Sequence, residues 1–361
     1  MTEFGTRVTI ENTGESYECA ADTALLDAAL AAGIDMPHNC RGGACGTCKA
    51  RLLEGTVDYG WGLSFALSDE EKTQGYCLAC QSKPRAAAIR LHMVNPMKPA
   101  SEAERAIVPV ATEAELVAAH PVTPATIRLV VALARTMRFH YRAGMNMEFL
   151  LPGLDIARPY SIANAPNPEG LAPDGLLVFY VARHPHGQAS SWLHENAIPG
   201  TRLTLRGPYG DFRLPAGTEG PLLCLAGGTG ISPLLAIIED ALRAGFGAPI
   251  DLLFSVRERR EIIALDTLAG LARRHPNFAY RVTLTREPGA PAGFARGRIP
   301  ERLAEEARDL AGHTVMIAGP PGFVDACAAA AAARGAPAER VLLDSFLPRG
   351  RSPRPAPTSA G

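Results

Sequence analysis

Residues 40–48 read CRGGACGTC, and residues 75–84 read GYCLACQSKP. How these cysteines are used decides the reading of the whole chain. Taken as two CxxC pairs, Cys45/Cys48 and Cys77/Cys80 offer four thiolates to a tetrahedral zinc. That reading leaves Cys40 without a purpose and makes Gly42, Gly43 and Gly46 incidental. Taken as Cys40-x4-Cys45-x2-Cys48 with one distant cysteine, the stretch has the spacing of a plant-type [2Fe–2S] loop. The glycines then have a role, because a loop wrapped round a small cluster aims backbone N–H groups at sulfur. The loop favours iron–sulfur, with zinc as the rival.

Composition bounds the rest. The chain has 361 residues, 47% hydrophobic and 20% charged, with a formal net charge of −1. It is long enough for two or three domains and reads as folded rather than disordered. Near-neutrality argues against a nucleic-acid partner. Residues 1–93 hold 12 acidic and 8 basic residues, a modest acidic bias. No run approaches a membrane span, and MTEFGTRVTI lacks the apolar core of a secretory signal. The expectation is a cytoplasmic protein with no membrane partner. In a reducing compartment, crowding five of eight cysteines between Cys40 and Cys80 points to metal rather than disulfides.

Three textures follow one another. Residues 1–93 hold short strand-like runs and one helical stretch, DTALLDAALAAG, capped by Asp22 and stopped by Gly33. Residues 94–104 form a Pro-rich linker. Residues 105–216 run through IRLVVALA, NMEFLLP, RPYSIAN, LLVFYVAR and RLTLRGPYG, short strands between turns that predict an antiparallel barrel or sandwich. Residues 217–347 alternate strand and helix, which predicts a doubly wound parallel sheet. The tail, 348–361, is Pro/Arg/Ser-rich and expected to be disordered.

The first region, through LLDAALAAGIDMPHNCRGGACGTCKARLLEG and LACQSKP, resembles a plant-type ferredoxin domain, a β-grasp fold around a [2Fe–2S] cluster. The resemblance implies Cys40, Cys45, Cys48 and Cys80 as ligands and leaves Cys77 a bystander. In the middle region RPYS (158–161), GQASSWL (187–193) and GPYG (207–210) supply an arginine for phosphate, an aromatic for a flat ring and glycine-led loops. In this order they resemble the FAD-binding domain of the ferredoxin–NAD(P) reductase superfamily. The resemblance assigns Arg158 to the FAD phosphates, Tyr160 to the isoalloxazine face and Ser161 to the N5 edge. It assigns Gly187 and Ser190 to the pyrophosphate, while His184 and His186 read as surface residues.

The third region opens with LLCLAGGTGISPLLAIIEDALRAG, a buried strand, a glycine turn and a helix with Ser232 as N-cap and Pro233 at N1. It lacks GxGxxG, since Pro233 stands at the last glycine position. By resemblance to the superfamily's nucleotide domain, Gly227, Gly228, Thr229 and Gly230 bind the coenzyme. The AGPPGF turn contributes Gly319 and Pro320, with Ala318 where relatives carry cysteine. Phe346 falls at the position of a C-terminal aromatic near the flavin. Between these turns Glu258 and Glu261 favour NADH, and Arg257, Arg259 and Arg260 leave NADPH open.

Hydride from a nicotinamide arrives as two electrons, a [2Fe–2S] cluster takes one, and a flavin joins the two regimes. Residues 5–347 resemble the reductase components of bacterial multicomponent oxygenases. The implied chemistry runs from NADH to FAD to [2Fe–2S] and then to an oxygenase component, with no catalytic side chain beyond the cofactors' holders. Rival readings are the same chain of carriers feeding a deoxysugar dehydratase, or a non-enzymatic electron carrier fused to a binding module.

Overall fold

The computed structural model describes residues 5–39, 41–43, 45–60, 66–95, 97, 107–134, 137–154, 157–287, 289, 292–305 and 309–346. Cys40, most of the 94–104 linker and the 348–361 tail lie outside the described residues. The chain divides into two compact units, residues 1–108 and 109–346.

The first unit is built from β1 (Thr6–Ile10), β2 (Ser16–Cys19), α1 (Leu25–Ala31), β3 (Lys49–Glu54), β4 (Val57–Asp58), α2 (Asp69–Thr73), β5 (Tyr76–Leu78), β6 (Lys83–Pro84) and β7 (Ala88–Met93). Five strands form a sheet ordered β2-β1-β7-β3-β5, with β1 and β7 parallel, and β4 pairs β6 separately. Alternation drives it: Val8 and Ile10 of β1 and Ile89, Leu91 and Met93 of β7 are buried, as are Leu25, Leu26 and Ala29 of α1.

Asp22 does not cap α1. The helix starts three residues later, with Ala24 at the cap position and no side-chain cap. The reason is tertiary. The Leu25 and Leu26 amides donate to the Ser82 and Ala79 carbonyls at 3.0 Å each, so residues 79–82 do the capping. Gly33 ends the helix as expected, in the left-handed region at φ +78°.

The second unit begins with β8 (Val110–Thr123), β9 (Thr126–Leu133), β10 (Asn146–Leu150), β11 (Ala157–Ser161), β12 (Leu176–Ala182), α3 (Gln188–Asn196) and β13 (Arg202–Tyr209). These strands form one antiparallel sheet ordered β11-β10-β13-β8-β9-β12. Among the described residues no ladder joins the edge strands β11 and β12.

The unit continues with β14 (Leu222–Gly227), α4 (Ile231–Arg243), β15 (Ile250–Val256), α5 (Leu265–Arg274), β16 (Phe278–Leu284), β17 (Ala295–Arg296), α6 (Ile299–Glu305), β18 (Thr314–Gly319), α7 (Pro321–Ala333) and β19 (Val341–Ser345). All six strands are parallel, in the order β17-β16-β15-β14-β18-β19. Burial on both faces explains the unbroken apolar run LLCLA in β14. Leu222, Cys224 and Ala226 pack with α4 and α5, and Leu223 and Leu225 pack with α6 and α7. The chain leaves β14 for β15 on one side and returns to β18 on the other, which opens a crevice at the carboxyl ends of β14 and β18.

Ser232 and Pro233 are not the N-cap and N1 of α4. A single 3₁₀ turn, Gly228–Gly230, runs directly into the helix, so α4 begins at Ile231 with Gly230 as cap. Pro233 then sits at N3, still within the first turn, where its missing N–H costs no helical bond.

Candidate cofactor sites

In the cysteine loop, conformation comes first. Gly43 and Gly46 take φ of +78° and +73°, and Arg41 takes +48°. Left-handed residues at 41, 43 and 46 let the chain curl where a side chain would be strained. The loop is tied to the 79–82 segment: Gln81 Nε2 donates to the Arg41 carbonyl at 2.9 Å, and the Ala79 amide to the Cys48 carbonyl at 3.0 Å. Arg41 also pairs with Asp27 of α1 at 2.6 Å. Cys48 and Cys80 are buried, and Cys45 is partly exposed. As free thiols Cys48 and Cys80 hydrogen-bond each other, which with burial holds the Cys48 proton well above the ordinary thiol range.

Two donors already aim at sulfur: Thr47 Oγ1 to Cys45 Sγ at 3.2 Å, and Gln81 Nε2 to Cys80 Sγ at 3.8 Å. Cys77 is different. It is fully buried on β5, beside Ser82, and desolvation pushes its thiol up to about 12. Among the described residues no three His, Cys, Asp or Glu side chains are grouped closely enough to hold an ion, Cys40 being outside them. The donor chemistry fits a cluster: two of the thiols already accept side-chain hydrogen bonds, from Thr47 and Gln81.

RPYS forms edge strand β11, every residue of which is half-buried. Alternation places Arg158 and Tyr160 on one face and Ser161 on the other, opposite Asn146 of β10. The Tyr160 ring meets Phe149 edge-on at 5.1 Å, and Phe149 meets Phe179 edge-on at 4.9 Å. This ladder fixes the tyrosine plane, and burial raises its phenol above the usual range. Gly187 is the N-cap of α3. A Cβ there would lie 2.5 Å from Ser190 Oγ and 2.9 Å from His184 Cβ, so only glycine fits. Ser190 Oγ accepts from the His184 amide and donates to the Gly187 carbonyl, both at 3.1 Å, so the hydroxyl shapes the turn. The first-turn amides of Gln188, Ala189 and Ser190 have, by their position, no carbonyl within the helix to accept from them.

At the nucleotide crevice, two motifs about ninety residues apart in sequence meet. A Cβ on Gly230 would land on the Ala318 carbonyl oxygen, and one on Gly319 would lie 3.0 Å from the Gly227 carbonyl. The turn after β14 therefore touches the end of β18 backbone to backbone. Phe323 covers both, 2.9 Å from a Cβ on Gly227. The Phe346 amide donates to the Gly319 carbonyl at 2.8 Å, which fixes that residue at the same crevice. Ser232 Oγ, on a residue only 2% exposed, has no hydrogen-bond partner among the described residues. A buried hydroxyl left unpaired in the first turn of α4 fits a site that takes a polar ligand.

Sequence reasoning placed Gly227, Gly228, Thr229, Gly230, Gly319, Pro320 and Phe346, and the fold brings these together. It missed Gln81, Phe323 and the Ser232 hydroxyl. Phe323 directly follows the GPPG turn and Gln81 directly follows Cys80, so adjacency to the motifs was the available signal.

Comparison with known proteins agrees with this order of sites. The 2Fe-2S iron-sulfur cluster binding domain family matches residues 8–85, the oxidoreductase FAD-binding domain family 113–214 and the oxidoreductase NAD-binding domain family 224–329. The reductase subunit of an aromatic O-demethylase from Amycolatopsis is 32% identical over 93% of this chain and 97% of its own. The ferredoxin–NAD(+) reductase component of the alkene monooxygenase system of Xanthobacter autotrophicus is 33% identical over 93% of this chain and 99% of its own. The crystal structure of an Amycolatopsis cytochrome P450 reductase superposes with a TM-score of 0.83 at 30% identity, covering 95% of this chain and 99% of that one. With three domain families in this order and relatives matched along nearly their whole length, the chain belongs to the ferredoxin–NAD(P) reductase superfamily, among the reductase components of oxygenase systems.

Proposed function

We propose that the protein oxidises NADH, moves the electrons through FAD to a [2Fe–2S] cluster, and delivers them singly to an oxygenase component. The observation that carries this reading is the crevice where Gly227–Gly230, Gly319 and the backbone of Phe346 converge, in the same compact unit as Arg158 and Tyr160. In this reading the domains are residues 1–93, a β-grasp ferredoxin domain; 105–216, a flavin barrel; and 217–347, a doubly wound nucleotide domain. The topology that supports it is the mixed five-stranded sheet, the antiparallel six-stranded sheet and the parallel six-stranded sheet with helices on both faces.

Cys40, Cys45, Cys48 and Cys80 hold the cluster, with Thr47 and Gln81 donating toward sulfur. Arg158 binds the flavin phosphates with the first-turn amides of α3, and Tyr160, braced by Phe149, lies against the ring. Ser161 is the N5-edge residue of this reading, on the Asn146 side of β11. Gly187 and Ser190 shape the pyrophosphate turn. The 227–230 turn, Ser232, Gly319 and Pro320 orient the nicotinamide nucleotide, and Phe346 covers the crevice. A bound flavin supplies the conversion of a two-electron hydride into single electrons. Everything else the protein contributes is position, since no proton need be moved by a side chain. The names of the relatives place the acceptor among oxygenase components. The reading also keeps the protein in the cytoplasm; among the described residues no helix is long and apolar enough to cross a membrane.

An anaerobic NADH titration of the purified protein tests this, followed by visible absorbance and electron paramagnetic resonance together. Flavin bleaching with a reduced [2Fe–2S] signal is the expected result. Flavin bleaching with no paramagnetic cluster, and zinc on metal analysis, would remove the iron–sulfur half. No bleaching would remove the nucleotide half.

A further inference from the structure

In the reading proposed above, the Gly227–Gly230 turn holds the phosphate end of a nucleotide, and the adenosine end then passes the second strand, in chain order, of the parallel sheet. That strand is β15, which lies next to β14 with Ser255 level with Gly227. The residues immediately beyond it, Arg257-Glu258-Arg259-Arg260-Glu261, are therefore the ones a 2′-substituent of the adenosine ribose would meet. By sequence this segment is ambiguous, since it offers three arginines and two glutamates.

The structure removes the ambiguity by showing what each arginine is doing. Arg257 is held in a fork by Glu261. Its backbone amide and its Nε both donate to Glu261 Oε2 at 3.0 Å, and Nη2 lies 2.5 Å from Oε1. Arg260 Nε pairs with Glu258 Oε2 at 2.8 Å. The Arg259 guanidinium stands 5.7 Å from the centre of the Phe294 ring, and its amide donates to Glu287 at 2.7 Å. Two guanidinium groups, those of Arg257 and Arg260, thus face the carboxylates of Glu261 and Glu258, while that of Arg259 lies on the Phe294 ring. Among these pairs the Glu261 carboxylate is the best sheltered, its side chain 22% exposed against 39% for Glu258. A nucleotide 2′-phosphate needs unspent positive charge and free donors, and a 2′-hydroxyl needs neither.

We infer that Glu261, by locking the Arg257 guanidinium and backbone amide at the end of β15, is a positioning residue that sets the coenzyme choice to NADH and excludes the 2′-phosphate of NADPH. The inference rests on the nucleotide site proposed above and deepens it. Removing the carboxylate while keeping its shape would leave Arg257 half-exposed, charged and unspent beside the ribose. The Arg257 guanidinium would then make the charge-assisted bonds to a 2′-phosphate that it now makes to Glu261.

The test separates binding from hydride transfer. Affinities for ADP and for 2′,5′-ADP are measured by calorimetry on the flavin-loaded full-length protein, with NADH- and NADPH-dependent flavin reduction beside them. Wild type should favour ADP. Glu261→Gln should raise the affinity for 2′,5′-ADP relative to ADP by about tenfold to a hundredfold, the worth of one charge-assisted contact. It should lower KM for NADPH relative to KM for NADH. Arg257→Gln combined with Glu261→Gln should abolish the gain, which a general loosening of the loop would not do.

An unchanged ADP to 2′,5′-ADP ratio in Glu261→Gln, or a gain that survives in the double variant, would overturn the assignment. Wild type preferring 2′,5′-ADP would overturn it as well. Failure of wild type to bind either nucleotide would sink the nucleotide site itself, and the inference with it.

Discussion

The cysteine loop and the turn after β14 both depend on glycine, but for different physical reasons. Gly43 and Gly46 are required by conformation: both lie at positive φ, and a Cβ on Gly46 would meet nothing closer than 3.5 Å. Gly230 is required by space. Its φ of −59° suits any residue, yet a Cβ would overlap the Ala318 carbonyl of β18. The first site is a loop that presents side chains, and glycine only lets it curl. The second is two stretches of backbone in contact, and glycine is the contact. A site made of side chains should fail when one side chain is changed, and a site made of backbone when one hydrogen becomes a methyl group.

The largest effect is expected at Cys80. Cys80→Ser should abolish the visible absorbance and paramagnetic signal of the cluster, because the thiolate proposed as its fourth ligand is lost. Cys77→Ser should keep both spectra, at a cost of about 1–3 kcal/mol for a buried hydroxyl. Loss of the spectrum in Cys77→Ser and survival in Cys80→Ser would reverse the ligand assignment.

The backbone counterpart is Gly230→Ala. Neither the α4 start nor the end of β18 can retreat without breaking parallel pairing, so the cost is that of overpacking, about 3 kcal/mol. For a unit of this size that is a fall in melting temperature of roughly 6–12 °C. NADH-dependent flavin reduction should fall with it while the cluster spectrum stays. A Gly230→Ala protein with wild-type melting and NADH kinetics would show that the turn after β14 and the end of β18 are not in backbone-to-backbone contact.

Legibility in the sequence followed the same division. The β14–α4 segment could be read from an apolar run, a glycine turn and a helical periodicity, and the strand–helix alternation after it predicts the parallel sheet apart from the two-residue β17. The long strand β8 could not. Its sequence VATEAELVAAHPVT is rich in Ala and Glu, poor strand formers, and only its pairing with β9 and β13 makes it a strand. Helix α3 was hidden because GQASSWL reads as a loop, its first turn being organised by the Ser190 hydroxyl. The cap of α1 was misread since carbonyls some fifty residues away replace Asp22. The cysteine spacing identified the cluster loop, but the separation of Cys77 from Cys80 is a property of the fold. Cys77 lies on β5 opposite Ala50 of β3, in the core, while Cys80 leaves the strand toward Cys48.

A smaller effect separates the two kinds of glycine within the nucleotide turn itself. Gly228 has φ +56°, and a methyl group added there would meet nothing within 4 Å, which likens it to the glycines of the cysteine loop. Gly228→Ala and Gly46→Ala should each cost only left-handed strain, about 1–2 kcal/mol. Thermal melts of the two, set beside Gly230→Ala, measure conformation against space directly. Equal losses at Gly228 and Gly230 would erase the distinction.

The smallest effect concerns charge. If the nucleotide half of the second unit is held by backbone and packing, a half-buried carboxylate on α4 should be a slight burden rather than a support. Glu239 is that carboxylate. Burial raises its pKa above the ordinary glutamate value of 4.5, against the opposing pull of the Ala165 amide that it accepts and of Arg243 and Arg274. A raised folded-state value means the native state favours the protonated form. The associated stability is present in full below pH 4.5 and drains away as pH climbs through the raised value. Glu239→Gln keeps an oxygen for the Ala165 amide and removes the charge. The variant should match wild type near about pH 4 and melt higher by about 2 °C or less near about pH 8. A variant that melts lower than wild type at about pH 8 would show that the ionised carboxylate is used, through Arg243 and Arg274, and that this half of the molecule leans on charge after all.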